Sequence, residues 1–326
     1  MEEKKNILEV KDLVVHYETD EGIVEAVNGV SFSLAKGESL GLVGETGAGK
    51  TTIALSIMGL LPKQAAHIIE GTATINGVDL NDEKNKGKKH KVLGDEVSMI
   101  FQDPMTSLNP VLRVGEQIAE VIRLHNDVSR AEATRKATEM LELVGISPER
   151  YKDFPHQFSG GMKQRVVIAI ALACNPELLI ADEPTTALDV TIQAQILHLI
   201  RELKEKFGTA LLLITHDFGV VADSCDNCAV MYAGEIIEMG TTKQVFEHPK
   251  HPYTIGLFGS LPDLDKEVDR LKPIPGLMCD PMDLPQYCSF YDRCERHCDR
   301  CKEGEPPTVE IEPGHFVRCS RIGEDS

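Results

Sequence analysis

The sequence predicts an α/β fold on a mostly parallel sheet, with an antiparallel β part in front and a small cysteine-rich extension behind. Three observations carry this expectation. Short continuous apolar runs, Ser39 to Val43, Leu178 to Ala181 and Leu211 to Thr215, alternate with segments of helical spacing. That is the pattern of strands covered by helices on both faces. The first run opens into a glycine-rich loop with a helix-like segment after it. Beyond Leu261 the text changes to prolines, aspartates and cysteines with no helical or strand period.

Taken in order, Ile7 to Tyr17 and Val30 to Leu34 have strand composition, and Ser39 to Val43 is a buried strand. Asn81 to Gly94 is lysine-rich and reads as an exposed loop. Leu112 to Val144 carries helical spacing, with Ile118, Val121 and Ile122, then Ala137, Leu141 and Val144, on repeating faces. This segment belongs to a helical insert at about 104–158. Gly160 to Ala173 reads as a helix and Leu178 to Ala181 as a buried strand. Ile196, Leu199, Ile200, Leu203 and Phe207 form the apolar face of a further helix, which Gly208 stops. The main body is expected to span 1–261 and the extension 262–326.

The chain of 326 residues is long enough for one large α/β domain and an appendage. It carries 52 acidic against 34 basic residues, a formal net charge of −18. Sequence-independent nucleic-acid binding needs Lys and Arg to replace phosphate counterions, so this balance disfavours it. No segment approaches the ~18 apolar residues that span a bilayer; Val166 to Cys174 and Ala210 to Ile214 are too short. The start, Met1 to Lys5, leads to a strand-like run with no apolar signal core. A cytosolic chain is expected, with any membrane role supplied by a partner.

Gly44-Glu45-Thr46-Gly47-Ala48-Gly49-Lys50-Thr51 matches G-x-x-x-x-G-K-[ST] between a strand and a helix. Its glycines let backbone N–H groups turn in around phosphates, and the helix N-terminus adds positive dipole. Lys50 is expected to reach the β- and γ-phosphates of ATP, and Thr51 to offer a hydroxyl to Mg²⁺, with Thr52 beside it. The strand Leu178 to Ala181 runs into Asp182 and Glu183. Asp182 is then placed to hold Mg²⁺ and Glu183 to act as general base on the attacking water. Successive strand residues face opposite ways, so both acids serve one site only if the strand ends there and Pro184 turns the chain.

Phe158-Ser159-Gly160-Gly161-Met162-Lys163-Gln164-Arg165 resembles the signature of ABC-transporter ATPases, usually Leu-Ser-Gly-Gly-Gln; Phe158 and Met162 depart from it. Four further features occur in that family's order. These are an adenine-stacking aromatic at Tyr17, a glutamine after a strand at Gln102, an aspartate loop at Ala187-Leu188-Asp189, and a switch histidine at His216. The resemblance covers about residues 7–260. It implies an ABC-type P-loop NTPase core in which two subunits sandwich two MgATP. Ser159, Gly160, Gly161 and Asp189 would meet the partner's nucleotide. Gln102 would contact Mg²⁺ and couple the helical insert to the membrane partner, and His216 would orient the water and γ-phosphate. A Ser-Gly-Gly turn opening a helix is itself an anion site, which fits that arrangement.

Within the family the tail resembles ATPase subunits of oligopeptide and dipeptide importers, through His251-Pro252-Tyr253-Thr254, Ile274-Pro275-Gly276, Cys288 to Cys294, Cys301, Pro306-Pro307 and Gly314 to Cys319. The resemblance implies a [4Fe–4S] cluster on Cys288, Cys294, Cys301 and Cys319. Four thiolates also suit structural zinc, and Cys279 and Cys298 are extra to the pattern, so zinc stays open. The implied partners are a second ABC ATPase subunit, with a heterodimer favoured over a homodimer, and two transmembrane permease subunits. An extracytoplasmic solute-binding protein would act indirectly. The implied place is the cytoplasmic side of the cell membrane. Peptides are the cargo this implies; nickel complexes, glutathione or oligosaccharides remain alternatives, as does a non-transport ABC switch.

Overall fold

The computed structural model describes residues 5–186, 188–260 and 273–322. The expected boundary at 261/262 and Ala187 of the aspartate loop lie outside the described residues. Twelve strands are described: β1 (Asn6–Thr19), β2 (Gly22–Ala35), β3 (Ser39–Val43), β4 (Ala66–Ile75), β5 (Val78–Asp79), β6 (Val97–Ile100), β7 (Leu178–Asp182), β8 (Ala210–Thr215), β9 (Asn227–Tyr232), β10 (Glu235–Thr241), β11 (Thr308–Glu312) and β12 (His315–Arg318). They form two sheets, one of order β2-β1-β4-β5 and one of order β11-β12-β10-β9-β3-β8-β7-β6.

The first sheet is antiparallel throughout. In the second, β6, β7, β8, β3 and β9 run parallel. The apolar runs are continuous because these strands are buried on both faces. Leu40, Leu42, Leu178, Ile180, Leu212 and Ile214 pack into one core with the antiparallel sheet and the helix Lys50–Ile57. Their alternates Leu179, Ala181, Leu211 and Leu213 pack into a second core with the helical part. A polar residue at any of these positions would strand an unsatisfied group on one face or the other.

The insert holds the helices Val114–His125 and Arg130–Leu143, parted at Asn126–Ser129, where Ser129 caps the second through its hydroxyl. Their buried Ile118, Ile122, Ala137 and Leu141 join the second core. The helix Val190–Phe207 ends at Gly208 in the left-handed region, φ 65°.

Three expectations change. The strand expected at Val30 to Leu34 is the end of a longer one, β2. The loop Asn81 to Gly94 contains two short helical pieces, Glu83–Asn85 and Lys89–Val92. The tail is not free of strands: β11 and β12 make a hairpin that pairs antiparallel with β10 and lengthens the main sheet. His315 anchors it, its Nε2 lying 2.9 Å from Glu238 Oε1 with both side chains fully buried. The tail also shares a core with the main body, where Phe290 packs with Tyr232 and Tyr253.

Candidate functional site

The loop from Gly44 to Gly49 joins β3 to the helix Lys50–Ile57. Two of its glycines are obligatory. Gly49 has φ 97°, and a Cβ there would lie 2.2 Å from the Ala26 carbonyl oxygen; at Gly44 it would lie 2.3 Å from that of Met231. Ala48 is fully buried, whereas Thr46, Gly47 and Thr51 are exposed along the mouth. Lys50 is buried and folded over the loop, its Nζ donating to Gly44 O at 2.7 Å and Glu45 O at 2.9 Å. Burial lowers its pKa, while the carboxylates of Glu183, Asp182 and Glu45 oppose that shift.

Asp182 ends β7 and is 2% exposed. Burial raises its pKa; a hydrogen bond from the Thr51 side chain and the charge of Lys50 oppose this, and Glu183 adds to it. Its Oδ1 is buried with no hydrogen-bond partner among the described residues. An orphaned carboxylate oxygen beside a hydroxyl and a phosphate loop is the donor set a hard divalent cation takes.

Glu183 leaves the strand with φ 45°, a conformation non-glycine residues rarely hold, and so points to the same side as Asp182. The expected turn at the strand end is therefore a strained residue. Gln102 Nε2 donates to Glu183 Oε2 at 3.1 Å, Thr186 Oγ1 donates to the same oxygen at 2.9 Å, and His216 Nδ1 lies 3.3 Å from Oε1. Burial pushes the Glu183 carboxyl up, but Thr186, His216 and Lys50 outweigh it and hold the group below its ordinary value. Gln102, Asp182, Glu183, His216 and Lys50, which the sequence disperses over 167 positions, thus meet around one carboxylate pair. Thr186 was not anticipated; its signal was its place three residues after Glu183, on the turn that Pro184 begins.

Tyr17 is half-buried near the end of β1, with its hydroxyl 3.4 Å from Thr52 Oγ1. That places its ring beside the phosphate-loop helix. Ser159 is the N-cap of the helix Gly160–Leu172, and its hydroxyl makes no capping bond. A Cβ at Gly161 would lie 2.6 Å from Ile192, so this glycine seats the signature helix against the next one. Phe158 is buried under Arg150, whose guanidinium lies 4.1 Å from the ring centroid. It fills the core as the usual leucine would. Gln164, another residue the sequence did not single out, donates to the Pro184 carbonyl at 2.6 Å. It ties the signature helix to the turn after Glu183. Asp189 is an exposed N-cap of the helix Val190–Phe207.

In the tail, Cys288, Cys294, Cys301 and Cys319 line one small cavity with His251 and His297. Burial pushes the Cys288 thiol up to about 12, and Cys301, Cys319 and Cys294 add to the shift. Among the described residues, however, no group of three or more His, Cys, Asp or Glu is spaced to hold a metal ion. Of the two cysteines outside the expected set, Cys298 Sγ lies 3.7 Å from Cys301 Sγ, while Cys279 packs in the core shared with the main body. Cys228 is buried in β9 and Cys225 packs beside it, which makes this pair strand packing.

Among the described residues no helix is long and apolar enough to cross a membrane. Residues 27–186 match the family model described as ABC transporter, and residues 237–301 match the one described as oligopeptide/dipeptide transporter, C-terminal region. The chain is 48% identical over 321 residues to the oligopeptide transport ATP-binding protein OppD of Escherichia coli, covering 98% of this chain and 94% of that one. It is 48% identical over 321 residues to AppD of Bacillus subtilis, with 98% of each covered. It is 50% identical over 318 residues to the dipeptide transport protein DppD of Lactococcus lactis, with 97% and 90% covered. Among solved structures, the dimeric ATP-binding cassette MJ0796 in a post-hydrolysis state bound to ADP and Pi superposes with a TM-score of 0.64. Its identity is 28%, over 72% of this chain and 98% of that one. With its phosphate loop, paired carboxylates and signature helix in place, the chain belongs to the ABC transporter ATP-binding proteins, in their oligopeptide/dipeptide transport branch.

Proposed function

We propose that this chain hydrolyses ATP to drive import of di- and oligopeptides, as one of two nucleotide-binding subunits that close over two MgATP. The observation that carries the reading is the convergence of Gln102, Thr186 and His216 on Glu183, beside Asp182 and the phosphate loop. Gly44 to Thr52 would cradle the triphosphate, with Tyr17 against the adenine. Thr51 and Asp182, with Gln102 at the edge, would hold Mg²⁺, whose charge would offset that on the phosphate oxygens. Glu183 takes a proton from water as its oxygen attacks the γ-phosphorus. The bond to the β–γ bridging oxygen breaks, leaving ADP and phosphate.

Ser159, Gly160, Gly161 and Asp189 would close on the partner subunit's nucleotide; the exposure of Ser159, Gly160 and Asp189 and the uncapped Ser159 hydroxyl support this. The dimeric MJ0796 cassette supports the pairing. Two permease subunits would carry the stroke across the cytoplasmic membrane, with the chain on the cytoplasmic face and a solute-binding protein outside; a heterodimer is favoured over a homodimer. The names of the relatives support peptides as the cargo. The test is uptake: cells lacking the chain should lose import of labelled di- and tripeptides, and the wild-type chain but not Lys50→Ala should restore it. Unchanged peptide uptake would overturn the cargo assignment.

The boundary near 261 is proposed to part the ATPase body from a 262–326 extension. Four thiols that line one cavity, with Cys288, Cys294 and Cys301 each pushed up by burial and by neighbouring thiols, support an iron–sulfur centre on Cys288, Cys294, Cys301 and Cys319. Structural zinc on the same four thiolates is the alternative. Protein purified without oxygen is expected to be brown, with broad absorbance near ~400 nm. A colourless, zinc-loaded preparation would refute the iron–sulfur assignment.

A further inference from the structure

The tail does more than cap the sheet: it reaches the phosphate loop. Arg293, 8% exposed and the covalent neighbour of Cys294, forks onto Glu45, the first variable residue of the loop. Its Nη1 donates to Glu45 Oε2 at 3.1 Å and its Nη2 to Oε1 at 3.0 Å. Its Nε donates to the Pro275 carbonyl at 3.0 Å, and its guanidinium lies 5.6 Å from the centroid of Tyr232 and 5.9 Å from that of Phe290. The Glu45 backbone is held as well, its N–H donating to Tyr253 Oη at 3.3 Å. Two further contacts lay the tail along the site. The Glu25 N–H donates to the Pro281 carbonyl at 2.8 Å, and Met278 Cε lies 3.3 Å from where a Cβ on Gly47 would stand.

An acid in an anion-binding loop is out of keeping with its chemistry. A free carboxylate at Glu45 would repel the incoming triphosphate, and the long side chain would let the loop wander. A bidentate guanidinium cures both faults, since it offsets the charge and fixes the direction of the carboxylate. The guanidinium cannot wander either, because it is packed over two rings and hydrogen-bonded to the backbone of its own tail.

We propose that Arg293 is a positioning residue of the nucleotide site, holding and neutralising Glu45 so that the C-terminal extension sets the affinity of the phosphate loop for ATP. The extension is thereby a working part of the ATP site, and the cysteine cavity adjoins it through the bond from Arg293 to Cys294. This inference rests on the ATP-binding reading above.

The test is a double-mutant cycle on the full chain, read as the Kd of a fluorescent ATP analogue with Mg²⁺. Methionine keeps the apolar stem over Tyr232 and Phe290 while removing the charge, so Arg293→Met is the variant of choice. It is expected to weaken binding about tenfold in the Glu45 background, the size of one lost charged hydrogen-bond pair, and less than twofold in the Glu45→Gln background. Breaking one half of an ion pair strands the other charge, whereas removing both does not. Arg293→Lys keeps the charge without the fork and is expected to cost about threefold. It carries the cycle if circular dichroism shows Arg293→Met to be unfolded. An equal cost in both backgrounds, or none in the first, would overturn the inference. A wild-type chain that binds no nucleotide would instead overturn the ATP reading itself.

Discussion

Replacing Glu183 by glutamine is expected to cut ATP turnover by about 10²- to 10⁴-fold, the contribution of a well-placed general base, while MgATP binding is kept. Glutamine has the same shape and can still accept a hydrogen bond from Thr186 or Gln102, so the strained turn at φ 45° has no reason to collapse. What it lacks is a site for the proton of the attacking water. ATP is then bound and not consumed, and the closed pair should accumulate as a dimer on gel filtration with MgATP. Turnover within about threefold of wild type would remove Glu183 from the base role. The acid side of the rate profile offers an independent check. Burial opposes ionisation of Glu183, but Thr186, His216 and Lys50 hold its pKa below the ordinary value. Loss of activity through this group is therefore expected only below the usual carboxylate range.

Much of this site could be read from the sequence because its chemistry is local. A strand, six loop residues and a helix make a phosphate cradle without help from elsewhere, and an apolar strand ending in two acids delivers them to one edge. The contacts between distant segments could not be read. Gln164 meets the Pro184 carbonyl only because the signature helix crosses that turn. Arg293 reaches Glu45 across 248 positions. The β11–β12 hairpin escaped for another reason. Thr308, Val309, Glu310, Ile311 and Glu312 alternate, but over one short edge strand with no fully buried residue, and the cue that fixes it is a buried His315–Glu238 pair that no pattern announces. The long strand β2 was cut short because Gly22 to Asn28 is half-exposed and mixed in composition.

Asp182 offers the opposite balance from Glu183, since here burial outweighs the groups that favour the charged form. Its pKa is raised by burial, and one oxygen has no partner among the described residues. A carboxyl whose folded pKa lies above its unfolded one favours the fold only when protonated, at pH below the unfolded value. That contribution turns into a cost as pH rises through the folded value. At pH 7 the ionised group therefore destabilises the metal-free chain. Asp182→Asn removes the charge at nearly constant volume, so in buffer with chelator its Tm at pH 7 is expected to exceed that of wild type, and the gap should narrow as pH falls towards 4. With Mg²⁺ and ATP the order should reverse, because the wild type gains binding energy that the variant has lost. Its hydrolysis should fall by at least about 10²-fold, the cost of removing a charge-stabilising group at a phosphoryl-transfer site. A metal-free variant less stable than wild type at pH 7 would mean that Lys50 and Thr51 already compensate the carboxylate fully. In that case the unpartnered oxygen would not be a place held open for a cation.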